Sequence, residues 1–249
     1  MGGEGRSGTT LMRVILDTHP NIACGTESKI FIDDITIEAY NKLLELYAKH
    51  IKNFSPKNDP EEALSFAFQQ MMNAFFTRFA QSKHKKRWAE KTPYNIKNID
   101  FLLNIFDKNI KFIHMIRDGR DVFCSMRDTL WGFKDVSVAA KHWKNIIDIG
   151  REHRGHKYYI EVKYENLIAN PEIELKKVFS FLHEPYRKSL FNFYEKEHDF
   201  SEDETSKSQV EKKLYPTSVN RWKNDLSTEE LHRFYKVAGK TLEDLGYET

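Results

Sequence analysis

With 249 residues, 40% of them apolar and 13% aromatic, the chain can bury one sizeable core, and no Pro/Gly/Ser-rich linker divides it, so a single domain over residues 1–249 is expected. Its 39 basic and 37 acidic side chains leave a formal charge of +2, which speaks against a nucleic-acid coat and a nucleic-acid partner. Two widely separated cysteines argue against a disulfide framework, and there is neither an 18-residue apolar window nor a signal-peptide pattern, so a soluble chain in a reducing, cytoplasmic setting with no membrane segment is the expectation.

The first element is Gly3-Glu-Gly-Arg-Ser-Gly-Thr-Thr10. Gly3 and Gly8 have the spacing of the phosphate-loop pattern G-x-x-x-x-G-K-[ST] and Thr10 takes its hydroxyl position, but Thr9 stands where the lysine belongs. Glycine-rich amides opening a helix make an anion cradle. Loss of the lysine disfavours a triphosphate, whose β and γ phosphates it would reach. Arg6 inside the loop instead offers a forked guanidinium to a single terminal group. Only Met1 and Gly2 precede the loop, so the strand expected there looks truncated. Leu11, Val14, Ile15 and Thr18 share one face of the next helix, which should end near His19-Pro20.

Farther along, Asp59, Pro60 and Glu61 open a long amphipathic helix whose Leu64, Phe68, Met71, Met72, Phe75, Phe76 and Phe79 read as core. Ser82-Lys-His-Lys-Lys-Arg87 reads as a solvated turn, and Thr92-Pro93 fits an N-cap followed by a first helical residue. An apolar strand over 111–116 ends in the turn Arg117-Asp-Gly-Arg-Asp121, and Ser125 lies one to two turns into the following helix. An arginine and a hydroxyl at a strand-to-helix junction form a second anion pocket. His114 within the strand reads as a satisfied core residue, His19 as part of a helix end, and Cys24 and Cys124 as small buried fillers. The ten histidines show no metal-ligand spacing.

Tyr158-Tyr-Ile-Glu-Val-Lys-Tyr164 is β-rich, and Asn170-Pro-Glu172 caps a helix carrying Leu175, Val178, Phe179 and Leu182. Residues 195–213 are polar and weakly patterned, a mobile surface loop of the kind that closes over ligands. After it, Arg221 is placed to return a cation to the second pocket while Trp222 packs the loop down. Strands alternating with helices predict an α/β, P-loop-like parallel sheet with helices on both faces. Two anion pockets at the carboxyl edge of such a sheet suit one ligand with two phosphate-like groups.

Taken in order, Gly5-Arg-Ser-Gly-Thr-Thr10, Glu90-Lys-Thr-Pro93, Ile116-Arg-Asp-Gly-Arg120 with Ser125, and Lys163-Tyr-Glu-Asn-Leu167 resemble the motif series of sulfotransferases that use 3′-phosphoadenosine-5′-phosphosulfate (PAPS). Leu11-Met-Arg-x-x-Leu-Asp-x-His-Pro20 and Cys24-Gly-x-Glu27 bring the resemblance closest to tyrosylprotein sulfotransferases and their bacterial relatives. The resemblance implies that Arg6, Ser7, Gly8, Thr9 and Thr10 hold the donor's 5′-phosphosulfate, that Arg117 and Ser125 hold its 3′-phosphate, and that Tyr164 lies near the adenine. It further implies Glu27 as general base and Lys91 as a cation near the bridging oxygen. Ser206, with Ser208 nearly as good a match, would contact the leaving group. Adenosine 3′,5′-bisphosphate would be the product, and no metal is called for. A tyrosine in a peptide or protein is the leading acceptor, followed by a small alcohol, sugar or phenol, and a homodimer is left open. A degenerate P-loop nucleotide kinase or triphosphatase would instead bind ATP and magnesium, and a catalytically dead binding module would hold the bisphosphate and transfer nothing.

Overall fold

The computed structural model describes residues 1–32, 34–50, 59–201, 204 and 206–249. Strand β1 (Gly2–Gly3) leads through the glycine loop into α1 (Thr9–Thr18), followed by β2 (Ile22–Cys24), α2 (Asp34–His50), α3 (Pro60–Ser82) and β3 (Arg87–Ala89). A 3₁₀ turn (Pro93–Asn98), α4 (Ile99–Ile105), β4 (Phe112–Ile116), α5 (Gly119–Arg127), α6 (Val136–Arg151) and β5 (Tyr159–Lys163) form the middle of the chain. The remainder is helical, with α7 (Tyr164–Ala169), α8 (Pro171–Phe181), a second 3₁₀ segment (Lys188–Glu195), α9 (Lys207–Val210), α10 (Trp222–Asp225) and α11 (Thr228–Asp244).

All strand pairs are parallel. β1, β4 and β5 lie in that order, with Gly2 opposite His114, Gly3 opposite Met115, and Phe112 opposite Tyr159. β2 pairs with β3, Ile22 opposite Arg87 and Cys24 opposite Ala89. The Met1 amino group donates to the Glu90 carbonyl at 3.0 Å, which ties the two ladders together. The strand expected before the glycine loop is thus present as two residues. Both must be glycine: a Cβ on Gly2 would lie 2.7 Å from the Pro93 carbonyl oxygen, and one on Gly3 would lie 2.3 Å from that of Met115.

The period of two in β4 sorts its side chains between helical layers. Ile113 and Met115 pack with Leu11, Val14 and Ile15 of α1 and with Leu175, Val178 and Phe179 of α8. On the opposite face, Ile116 packs with α5, α6 and α11, and Phe112 with α3 and α4. Helices therefore cover both faces of the sheet. His114 also points to that second face, where its Nδ1 meets the Tyr159 hydroxyl at 2.6 Å. Burial holds its pKa down at about 3, so it is a neutral core residue.

Several local readings need correction. In α3, Leu64, Phe68, Met72 and Phe76 are buried, but Met71 and Phe75 are 54% and 61% exposed. Each lies one residue, about 100° of helical rotation, off the buried stripe. Neither Thr92 nor Asn170 makes a side-chain cap bond, since Thr92 donates instead to Glu90 Oε1 at 2.6 Å. The basic run 82–87 is not merely solvated, because Lys85 bonds Asp17 and Arg87 pairs with Glu184. Part of the polar loop 195–213, namely residues 202, 203 and 205, lies outside the described residues.

Asp17 shows how the end of α1 is fixed. Its carboxylate accepts from Cys24 N at 3.1 Å and Lys85 Nζ at 2.9 Å, and meets His198 Nδ1 at 3.0 Å. Burial raises its pKa, but the bonds to His198 and Lys85 outweigh burial and hold it below the usual carboxylate range. A depressed carboxylate stabilises the fold fully at neutral pH and loses that contribution as pH falls below about 5. Asp17→Asn should therefore cost on the order of 2 kcal/mol at pH 7 and give a flatter loss of stability toward pH 3 than the parent chain, read by urea unfolding at several pH values.

Candidate active site

The glycine loop leaves β1 with its backbone bent around two left-handed residues, Arg6 (φ 66) and Gly8 (φ 88). Glu4, 1% exposed, stabilises the bend: its Oε1 accepts from Gly5 N at 2.9 Å and its Oε2 meets His142 Nδ1 at 2.6 Å. Gly8 is the N-cap of α1 and offers no side-chain cap, so the first amides of the helix remain available to an anion. Ser7 Oγ is buried and has no hydrogen-bond partner among the described residues. A Cβ on Gly8 would lie 2.6 Å from the Tyr164 ring, so the loop and this tyrosine are in close contact.

One strand away, β4 delivers Arg117 to the same edge. Asp118 caps α5 by accepting from Arg120 N, and its own amide donates to Glu165 Oε1, each at 2.9 Å. Trp143 Nε1 donates to the Arg117 carbonyl at 3.0 Å. With its backbone held, Arg117 sends Nη1 to the Arg6 carbonyl at 2.9 Å and Nη2 to the Ser218 carbonyl at 2.5 Å. The guanidinium carbon sits 4.8 Å from the Tyr164 ring centroid, and Nε has no partner among the described residues.

The two turns line one cleft, bounded by Arg6, Gly8, Thr9, Thr10, Arg117, Ser125, Tyr164, Ser206, Ser218 and Arg221. Arg6 spans it, donating from Nε to Ser125 Oγ at 2.9 Å and from Nη1 to Ser206 Oγ at 2.6 Å. The open space left is about 90 Å³. Burial, followed by the charges of Arg117 and Arg221, pulls the Arg6 pKa below its ordinary value. Arg221 is also bound to Asp225, at 2.6 Å. Three guanidiniums facing one small space favour an anion strongly. Of the two serines in the polar loop, Ser206 faces the cleft, whereas Ser208 is exposed and off it.

Glu27 and Lys91 do not line that cleft. They meet beside it because β2 and β3 run parallel and the segments leaving them stay adjacent. Lys91 is fully buried, with Nζ 2.5 Å from Glu27 Oε1, 2.9 Å from Glu204 Oε1 and 3.5 Å from Thr10 Oγ1. Thr10 thus touches both the cleft and the ion pair. Glu90 orients this corner: its Oε1 accepts from Ser28 Oγ at 2.9 Å and from Thr92, and its Oε2 accepts from Asn95. Sequence reasoning missed Glu4, Glu90, Arg13 and Glu204. Two of them carried a signal: Glu90 at the head of Glu-Lys-Thr-Pro and Arg13 within Leu11-Met-Arg.

The chain matches the model of the sulfotransferase family over residues 1–188. It is 27% identical over 260 residues to protein-tyrosine sulfotransferase A of Caenorhabditis elegans, covering all of this chain and 66% of that protein. To the protein-tyrosine sulfotransferase of Drosophila melanogaster it is 27% identical over 267 residues, covering 100% of this chain and 51% of that protein. The chain therefore spans about half to two thirds of these relatives. Among solved structures, the sulfotransferase domain of the Synechococcus PCC 7002 olefin synthase superposes with a TM-score of 0.71 at 19% identity over 99% of this chain and 93% of its own. Mouse sulfotransferase SULT7A1 complexed with PAP gives 0.60 at 15% identity, over 98% and 84%. These likenesses show the parallel, helix-flanked fold.

Gly8 tests the cradle. Gly8→Ala combines a left-handed backbone, costing about 1–3 kcal/mol, with the clash on Tyr164, whereas Gly155→Ala has the same backbone demand (φ 84) and open space. The Gly8 variant should melt several degrees lower than the Gly155 variant; equal melting temperatures would show that the ring does not pack on the loop.

Proposed function

Because the chain belongs to the sulfotransferase family, we propose that it moves the sulfuryl group of PAPS to an acceptor hydroxyl, a tyrosine in a peptide or protein. The observation that carries this reading is the shared cleft of Arg6 and Arg117, joined by a 2.9 Å hydrogen bond. An unpartnered Ser7 hydroxyl, uncapped amides at α1 and an unpartnered Arg117 Nε fit an anionic ligand with groups at both ends. The tyrosine acceptor is supported by the relatives, which are protein-tyrosine sulfotransferases.

In this reading Ser7, Gly8, Thr9 and Thr10 hold the 5′ end, Arg117, Ser125 and Arg221 hold the 3′-phosphate, and Tyr164 lies beside the adenine. When bound, the donor supplies a sulfuryl group whose bond to the phosphate oxygen breaks, the electron pair staying with that oxygen, as the acceptor oxygen bonds to sulfur. Arg6 releases Ser125 and turns its guanidinium toward the oxygen where charge develops. Lys91 and Ser206 add donors at the same place, the preorganised stabilisation that contributes most in such sites. Glu27, beside the cleft and with a side chain 19% exposed, accepts the proton of the acceptor, whose phenol has an unperturbed pKa near ~10.

Adenosine 3′,5′-bisphosphate without metal, at ~100 times its dissociation constant, should raise the melting temperature by about 5–10 °C. Stabilisation by ATP with magnesium alone would instead mark a nucleotide kinase.

Two variants separate the roles. Glu27→Ala should lower kcat by ~10²–10⁴-fold and leave bisphosphate affinity within about threefold. Arg117→Ala should weaken that affinity by ~10–100-fold through loss of charged hydrogen bonds. Transfer to tyrosine peptides, measured against transfer to small phenols, identifies the acceptor class; binding without any transfer would mark a binding module.

A further inference from the structure

Arg13 lies four residues past Thr9 in α1 and is wholly buried. None of its three guanidinium nitrogens has a hydrogen-bond partner among the described residues. Its charge is met by Glu204 Oε2 at 3.6 Å, and its face by the Phe200 ring, 4.7 Å from the guanidinium carbon. Leaving a guanidinium in the interior without a counter-charge costs several kcal/mol. Glu204 must therefore be in place for the core beneath α1 to close.

That carboxylate has a second cation. Glu204, its side chain 4% exposed, accepts from Lys91 Nζ at 2.9 Å through Oε1 and from Ser201 N at 3.3 Å through Oε2. Arg13, Glu204, Lys91 and Glu27 thus form an alternating row of charges, in which only Glu27 reaches solvent appreciably. Glu204 does not line the donor cleft, so it acts through Lys91 and not on a ligand. Were Glu204 absent, Glu27 would be the carboxylate left on Lys91 among the described residues, and the base would be locked in that pair.

We propose that Glu204, balanced by Arg13, is a positioning residue that holds Lys91 in place when Glu27 leaves the ion pair to take the acceptor's proton. The proposal rests on the reading of Glu27 as the base. Exchange of Glu27 from Lys91 to the acceptor hydroxyl then moves one proton to Glu27 and leaves the Lys91 charge compensated throughout.

Glu204→Gln should lower kcat by ~10²-fold, the scale of a misplaced catalytic group, with bisphosphate affinity within about threefold and with Glu204→Asp recovering part of the rate. Arg13→Met with Glu204→Met leaves no buried charge uncompensated, so it should regain thermal stability relative to Arg13→Met alone but keep the low kcat. Recovery of turnover along with stability would overturn the proposal, because the pair would then serve the fold alone. A second readout needs no turnover: acetylation of Lys91 by acetic anhydride, followed by mass spectrometry, should rise in Glu204→Gln and stay low in Glu27→Gln. If Lys91 labelling responds so while Glu27→Gln turns over normally, the base assignment fails and the hold on Lys91 stands. If Glu204→Gln changes neither labelling nor kcat, the hold itself is refuted.

Discussion

The site depends on a single contact across two strands, the hydrogen bond from Arg117 to the Arg6 carbonyl. β1 and β4 are neighbours and parallel, so the turns that follow them emerge at the same edge, and helices α1 and α5 begin there. Side-chain-free glycines at positions 2 and 3 let β1 press against β4 and the 3₁₀ turn. Trp143 then fixes the Arg117 carbonyl from the far side. Move the backbone of either turn by an ångström and one cleft becomes two unrelated cationic patches.

Charge in this region is organised in two compartments. In the cleft, Arg6, Arg117 and Arg221 face one another, an arrangement that repels itself and therefore favours an incoming anion. Behind it, Arg13, Glu204, Lys91 and Glu27 alternate in sign and need nothing added. In the proposed reading, the first compartment serves ligand affinity and the second keeps Glu27 ready as the proton acceptor. Thr10 stands between them, in the cleft and 3.5 Å from Lys91.

Legibility in the sequence followed the range of the interaction. The glycine loop, α1, β4, the arginine turn and β5 are encoded by neighbours within a few residues, through periodicity and glycine placement, and they appear where those signals put them. β2 and β3 are three residues each, too short to show alternation, so the ladder that brings Glu27 to Lys91 had no local mark. Arg13 and Glu204 are 191 positions apart in sequence and belong to an amphipathic helix and a featureless polar loop. A buried ion pair of that kind is a property of the fold, and each partner alone reads as an ordinary surface charge. Met71 and Phe75 show the converse: apolar residues one step off a helical stripe match a core pattern in sequence, yet they are 54% and 61% exposed.

The missing loop lysine has a structural counterpart. Thr9 stands where a nucleotide-triphosphate loop carries its ammonium, and the ammonium near the loop hydroxyl comes instead from Lys91, after β3. A lysine on the loop would lie along the phosphates and neutralise the ligand alone. Lys91 approaches from the side and reaches Thr10 and Glu27 together, so one cation is shared between the anion cradle and a carboxylate that opens to solvent. Such sharing suits the proposed reaction, in which negative charge leaves at the cradle while a proton leaves the acceptor, because an ammonium held between the two faces both events. A loop lysine, confined to the phosphates, would have no contact with Glu27 through which to couple the two events.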